Sequence, residues 1–176
     1  MRADYFGLVE PTVPTQTGHI RWSEMSVELE AVEMLYALVR CQKPFCVVED
    51  GTGAGVGTLA MYRAICDNGV GSIYTYEPME EYFQLMENTF QDLPNLTLTH
   101  GRASLDHKDL PAPDFVFVDT GGGHEVRGPE IEFWLKHENN PMVVVHDSVR
   151  RYPEFELGEG IFINGFDGLW VGRGKV

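Results

Sequence analysis

The chain has 176 residues, 43% of them apolar, which suits one globular domain with a full hydrophobic core. Its net charge of −14 argues against a nucleic-acid partner, because binding to phosphates needs clustered Lys and Arg. No apolar run approaches the roughly 20 residues of a membrane helix, so no membrane partner is expected. The three cysteines match no common zinc pattern and the N-terminus lacks an apolar leader. We therefore expect reduced thiols and a cytoplasmic location.

The first part of the chain is predicted to be an irregular arm over residues 1–25, since Pro11, Pro14 and Gly18 interrupt any regular pattern. A single domain is expected over 26–176. Its first helix begins at Ser26, keeps apolar residues at helical spacing and ends near Pro44.

From residue 45 onward, apolar runs of strand length alternate with helical patterns. The predicted strands are 45–49, 73–77, 96–100, 114–118 and 142–146, and the helices between them are 58–67, 79–91 and 129–137. Pro129 places the start of the last helix, because proline fits the first helical turn. Two more apolar runs, 161–163 and 169–171, flank a Gly-rich loop and predict an antiparallel pair. The predicted fold class is α/β, a three-layer Rossmann-like sandwich with a mostly parallel seven-stranded sheet and an antiparallel C-terminal strand.

A glycine-rich loop follows the first of these strands, with the sequence Glu49-Asp50-Gly51-Thr52-Gly53-Ala54-Gly55. Between a buried strand and a helix, such a loop allows a tight turn and the close approach of a nucleotide-like ligand. Glu77 ends the next strand, where a carboxylate can accept hydrogen bonds from both hydroxyls of a ribose. The loop and Glu77 together predict a ligand that contains a ribose.

The charge beside the loop separates two ligands that contain a ribose. A dinucleotide would bring a diphosphate there, whereas S-adenosylmethionine would bring a cationic sulfonium and an amino acid. Glu49 and Asp50 supply two acids at this point, and like charges about 4 Å apart repel by roughly 4 kcal/mol at an effective dielectric constant near 20. This predicts the cationic ligand. Strand alternation points the two acids in opposite directions, so one of them can face away.

Four motifs in this order resemble the class I S-adenosylmethionine-dependent methyltransferases, over roughly residues 28–172. They are the glycine loop with Thr58, the ribose-binding acid in Tyr76-Glu77-Pro78, Gly101-Arg102-Ala103 beside the adenine, and Phe117-Val118-Asp119 with the glycines that follow. The strand end Val145-His146-Asp147 resembles the His-Asp pair that stands at this position in one branch of the small O-methyltransferases, the macrocin- and cephalosporin-hydroxylase-like branch. The resemblance implies a cofactor site formed by Glu49, Gly51, Thr52, Gly53, Gly55, Thr58, Glu77, Pro78, Arg102, Ala103, Ser104 and Asp119.

The acceptor side offers two routes for removing a proton from a hydroxyl. Asp119 and Asp147 end adjacent strands and could chelate Mg²⁺, although Ser148 stands where many such enzymes carry an asparagine. Alternatively, His124 or His146 acts as the base, because histidine titrates near neutrality. The candidate catalytic residues are thus His124, His146 and Asp119.

The sequence therefore predicts an S-adenosylmethionine-dependent methyltransferase that acts on the hydroxyl of a small molecule by in-line transfer. One alternative is a cofactor-binding module without catalysis, since Arg102 and Ser148 depart from the family pattern. Another is a nicotinamide-dependent oxidoreductase, which the acidic loop and the lack of a Tyr-x-x-x-Lys pair disfavour. Because the arm is short, the acceptor site is either open or completed by a second copy of the chain in a homodimer.

Overall fold

The computed structural model describes residues 12–15, 18–21, 27–106, 110–121, 124–148, 159–163 and 168–174. In chain order the elements are β1 (Thr12–Thr15), β2 (Gly18–Arg21), α1 (Leu29–Gln42), β3 (Cys46–Asp50), α2 (Val56–Asn68), β4 (Ser72–Glu77), α3 (Glu80–Phe90), β5 (Leu96–His100), α4 (Ala103–Asp106), β6 (Phe115–Val118), α5 (His124–Leu135), β7 (Met142–His146), β8 (Glu159–Ile163) and β9 (Leu169–Arg173).

Seven strands of the described chain form one sheet, in the order β5-β4-β3-β6-β7-β9-β8. The strands from β3 to β7 are parallel, and β9 is antiparallel to both of its neighbours, β7 and β8. The predicted fold class is therefore confirmed, including the reversed C-terminal strand. The strand order changes direction between β3 and β6, which places a crevice at the carboxyl ends of these two strands.

Each face of the sheet has its own hydrophobic core, because successive residues of a strand point to opposite sides. Val47 and Phe117 pack with residues of α1 and α2 on one face. Val48 and Val118 pack with Trp134 of α5 on the other. The same alternation sends Glu49 and Asp50, at the end of β3, to opposite faces of the sheet.

The start of α5 differs from the prediction. The helix begins at His124, so Pro129 lies inside it and not in its first turn. The first turn of α5 makes a contact outside the helix. The side chain of Arg127 donates to the carbonyl oxygen of Thr120, which follows the end of β6. No local pattern reveals this contact, and the proline preference was therefore a misleading guide.

The N-terminal arm also differs where it is described. β1 and β2 form an antiparallel pair with Thr12 opposite Arg21 and Pro14 opposite His19, so the prediction of an irregular arm was wrong here. Proline is tolerated in a strand that lies at an edge, which a two-stranded ladder always provides. The predicted helix start, Ser26, lies outside the described residues, and the described helix begins at Leu29. Within the described chain, no helix combines the length and the apolar character needed to span a bilayer.

Candidate active site

A cavity of about 560 Å³ opens at the carboxyl ends of β3, β4, β6 and β7. Its wall contains most of the predicted site residues, namely Glu49, Gly51, Thr52, Gly53, Gly55, Glu77, Pro78, Arg102, Asp119, His146 and Asp147. Thr58, Ala103 and Ser104 stand behind the wall and act through hydrogen bonds described below. The volume is in the range of pockets that bind small molecules and cofactors.

The glycine loop is held against the ends of two strands. The amides of Gly51 and Thr52 donate to the carbonyl oxygen of Tyr76, at 3.0 and 3.1 Å. Gly51 has a φ of 101°, and a Cβ at this position would lie 2.7 Å from the backbone of Asp119. Only glycine allows both this backbone conformation and this close contact. The first loop glycine therefore brings the loop against the end of β6.

Glu77 is fixed at the cavity wall by backbone donors. Its carboxylate accepts hydrogen bonds from the amides of Gly53 and Met79, both at 2.8 Å. The side chain is buried, and burial raises its pKa against the effect of these two donors. A carboxylate has about four lone-pair positions, so acceptor capacity remains for a ligand that carries hydroxyl groups.

Glu49 is the acid of β3 that faces the cavity. It is 1% exposed, and its Oε2 accepts hydrogen bonds of 2.5 Å from the hydroxyls of Thr58 and Thr75. Thr52 in turn contacts Thr75 at 2.5 Å. Burial raises the pKa of Glu49 to about 8, although the two hydroxyl donors act in the opposite direction. The carboxyl group will therefore ionise most readily when a cation is near.

Asp50 faces away from the cavity. Its carboxylate accepts from the amides of Ala103 and Ser104, at 3.1 and 3.3 Å, and from the indole N–H of Trp134 at 3.3 Å. Burial, together with the charge of Glu130, raises the pKa of Asp50 to about 6. The carboxylate of Asp50 thus ties the segment after β5 to β3 and to α5.

Arg102 borders the cavity and pairs with Glu130 of α5. The same carboxylate accepts from the hydroxyl of Thr120, at the end of β6. Arg102, which departs from the family pattern, is therefore anchored by an ion pair with Glu130 at the edge of the cavity.

His146 lies between two carboxylates at the end of β7. Its Nδ1 donates to Asp119 Oδ1 at 3.0 Å, and its Nε2 donates to Glu28 Oε2 at 2.6 Å. Burial opposes the charged ring, but the hydrogen bonds and charges of Asp119 and Glu28 outweigh it and raise the pKa of His146 to about 10. The ring is thus an imidazolium at neutral pH, an arrangement that suits a fixed donor better than a base.

Arg127 joins the ends of β6 and β7 through a buried guanidinium that is 1% exposed. Its Nη2 donates to Asp119 Oδ1 at 3.1 Å, and its Nη1 lies 3.6 Å from Asp147 Oδ2. It also donates to the carbonyl oxygens of Thr120, at 2.8 Å, and His146, at 2.9 Å. One cation therefore contacts both of the acids that end these strands.

Sequence reasoning did not identify Glu28 or Arg127 as site residues. For Arg127 a signal existed, because Arg127, Ile131 and Trp134 follow the i, i+4, i+7 spacing of a buried helix face. For Glu28 no local signal existed, since its partner His146 is 118 positions away. The side chain of His124 lies outside the described residues, so its role as a base stays a prediction.

Residues 48–149 match the family described as a methyltransferase domain, a segment that covers more than half of the chain. The chain belongs to this methyltransferase family. The predicted resemblance to methyltransferases is thereby confirmed, and the nicotinamide-dependent alternative is set aside. No curated protein is significantly similar in sequence to this methyltransferase.

Solved structures share the fold of this methyltransferase. A methyltransferase from Geobacter sulfurreducens has a TM-score of 0.65 and 19% identity, over 85% of this chain and 81% of its own. A Podospora anserina methyltransferase bound to S-adenosylhomocysteine has a TM-score of 0.66 and 17% identity, over 87% and 81%. An O-methyltransferase from Bacillus cereus in complex with S-adenosylhomocysteine has a TM-score of 0.66 and 16% identity, over 85% and 83%.

The predicted Mg²⁺ site can be compared with this geometry. Asp119, His146 and Asp147 offer donor atoms within 4.8 Å of one another, and the buried hydroxyl of Ser148 has no hydrogen-bond partner among the described residues. The spacing suits a cation, but the charge does not, because Arg127 already pairs with both aspartates. Two unit charges about 4 Å apart repel by roughly 4 kcal/mol at an effective dielectric constant near 20, and a divalent ion doubles this repulsion, which offsets part of its attraction to the two carboxylates. The fixed charge of Arg127 therefore weakens this site for Mg²⁺, and the metal stays a prediction.

Proposed function

We propose that this methyltransferase uses S-adenosylmethionine to methylate the hydroxyl oxygen of a small molecule. The observation that carries the proposal is that the glycine loop, Glu77 and the acids at the ends of β6 and β7 border one cavity. The neighbours with bound S-adenosylhomocysteine support this cofactor, and the Bacillus cereus O-methyltransferase supports oxygen as the acceptor atom.

The cofactor half of the cavity has one residue for each part of the ligand. Glu77 would accept from the ribose hydroxyls with the lone pairs that Gly53 and Met79 do not use. The side chain of Met79, 53% exposed on the cavity wall, and that of Arg102 would lie beside the adenine. Glu49 would provide a negative charge near the sulfonium. When bound, the cofactor supplies a methyl group to a nucleophile aligned with its carbon–sulfur bond.

The acceptor half of the cavity centres on Asp119, whose side chain is 21% exposed. His146 and Arg127 both donate to its Oδ1 and hold the carboxylate in one orientation. Asp119 would accept the hydrogen bond of the acceptor hydroxyl and take up its proton as the methyl group transfers. His146 is then a positioning residue, and His124 is the alternative base.

Calorimetric titration with S-adenosylmethionine, S-adenosylhomocysteine and NAD tests the cofactor. We expect heat of binding from the first two and none from NAD, because solved neighbours of the same fold hold S-adenosylhomocysteine. Binding of NAD alone would overturn the proposal. Transfer from the radiolabelled cofactor to a panel of small phenols and alcohols then tests the activity. Cofactor binding without transfer to any member of a broad panel would favour the module without catalysis.

A Glu77→Ala variant tests the ribose contact. We expect its affinity for S-adenosylhomocysteine to fall at least tenfold, about 1.4 kcal/mol, because the hydroxyls lose their acceptor and the loop loses its anchor at Gly53. Glu87→Ala, an exposed acid on α3, is the matched control and should bind as the unaltered protein does. Equal affinities in the two variants would rule out the role given to Glu77.

A further inference from the structure

We infer that Arg127 is a built-in cation that takes the place of a divalent metal at the acceptor end and positions Asp119 for the acceptor. The inference rests on the proposed function only where it identifies Asp119 with the acceptor side. The remainder depends on the contacts and the burial of one guanidinium.

The guanidinium cannot move aside easily. Arginine has five N–H donors in a rigid fork, and in this protein they reach two backbone carbonyls and two carboxylates at the ends of β6 and β7. The stem is held by α5, on which Ile131 and Trp134 are 0% and 1% exposed on the same helix face. Moving the side chain out would remove its hydrogen bonds to the carbonyl oxygens of Thr120 and His146 and its ion pairs with the two acids, which is unfavourable at a buried site.

The guanidinium also does what a metal would do for the two acids. The charge of the guanidinium is fixed in the chain, so Asp119 and Asp147 share one cation that cannot dissociate. The contacts from Arg127 and His146 both fall on Oδ1 of Asp119. An acceptor hydroxyl is therefore expected to meet Oδ2. A divalent ion bound to the same acids would face this fixed positive charge at close range.

A titration of metal-free protein with Mn²⁺ tests the inference without any acceptor. Binding is measured as the loss of the electron paramagnetic resonance signal of the free ion. Arg127→Gln removes the charge and keeps an amide donor, and Arg127→Lys keeps the charge as the matched control. We expect no stoichiometric binding to the unaltered protein or to Arg127→Lys. We expect Arg127→Gln to bind Mn²⁺ at least tenfold more tightly, and this gain to disappear when Asp119→Asn is added.

Two results would overturn the inference. One is stoichiometric binding of Mn²⁺ to the unaltered protein that is lost in Asp119→Asn. The other is a folded Arg127→Gln variant that binds Mn²⁺ no better than the unaltered protein. Circular dichroism and titration with S-adenosylhomocysteine check the fold of each variant. If Arg127→Gln does not fold, the comparison of the unaltered protein with Asp119→Asn decides alone. Failure of the proposed function would appear separately, as a loss of cofactor binding in the unaltered protein.

Discussion

At the scale of single residues, Asp50 shows that an acid beside the glycine loop can have a structural role. A carboxylate that is 0% exposed holds three donors, from the amides of Ala103 and Ser104 and the indole of Trp134. Each unpaired buried donor costs about 1 to 3 kcal/mol. The acid therefore serves the fold as the common acceptor of these three donors.

Asp50→Ala is therefore expected to lower the free energy of unfolding by about 3 kcal/mol or more. Asp50→Asn keeps one oxygen acceptor and should lose clearly less. Urea unfolding followed by tryptophan fluorescence measures both. Equal stability of Asp50→Ala and the unaltered protein would show that the three hydrogen bonds contribute nothing net.

At the scale of elements, α5 links the two halves of the site. One face of this helix supplies Arg127 to the acceptor end, Glu130 to Arg102, and Trp134 to Asp50. Ile131 sits among these residues and is 0% exposed. The polar contacts of the site therefore depend on the apolar packing of a single helix.

Ile131→Ala is expected to lower the free energy of unfolding by about 2 to 5 kcal/mol, because it removes buried methyl groups and leaves a cavity. Glu132→Ala, one residue further, removes an exposed pair with Lys136 and should cost less than about 0.5 kcal/mol. Chemical denaturation distinguishes the two. Similar losses in both variants would mean that the buried apolar face of α5 contributes no more to stability than its exposed face.

At the scale of the whole molecule, buried acids couple stability to pH. Glu49 has its pKa raised from 4.5 to about 8, and Asp50 from 3.8 to about 6, in each case mainly by burial. The folded protein therefore keeps protons that the unfolded chain releases as the pH rises from about 4 to 8. The contribution of these two acids to the free energy of unfolding is fully present below this window, and it is lost as the pH rises through the window.

We expect the free energy of unfolding of the ligand-free protein to fall by at least about 2 kcal/mol between pH 5.5 and pH 8, because retaining one proton costs about 1.4 kcal/mol for each pH unit. Glu49→Gln keeps an acceptor for Thr58 and Thr75 without the titration, so its stability should depend less on pH. Urea unfolding at the two pH values tests this. A rise in stability with pH, or the same slope in the variant, would contradict it.

Much of the architecture was predictable because the strands near residues 45, 114 and 142 are continuous apolar runs. The glycine loop and Glu77 were predictable for a different reason, since the carboxyl ends of parallel strands meet at one edge of a sheet.

The contacts of Arg127 and Glu28 were not predictable. They depend on partners in other elements, and neither spacing nor composition encodes such a distance. The start of α5 was misplaced for a different reason, because proline also occurs inside this helix and the first turn begins at His124, five residues before Pro129.

The hydrogen bond between Glu28 and His146 also affects the order in which the two halves of the cavity form. It closes a stretch of 118 residues, whereas Gly53 and Glu77 are only 24 positions apart. A longer stretch loses more conformational entropy when its ends meet, and a nascent chain presents its early residues first. During synthesis, the strand-and-loop unit around Glu77 can form while His146 is still inside the ribosome. We expect the two halves of the cavity to mature in sequence, with the end that holds Asp119 completed last.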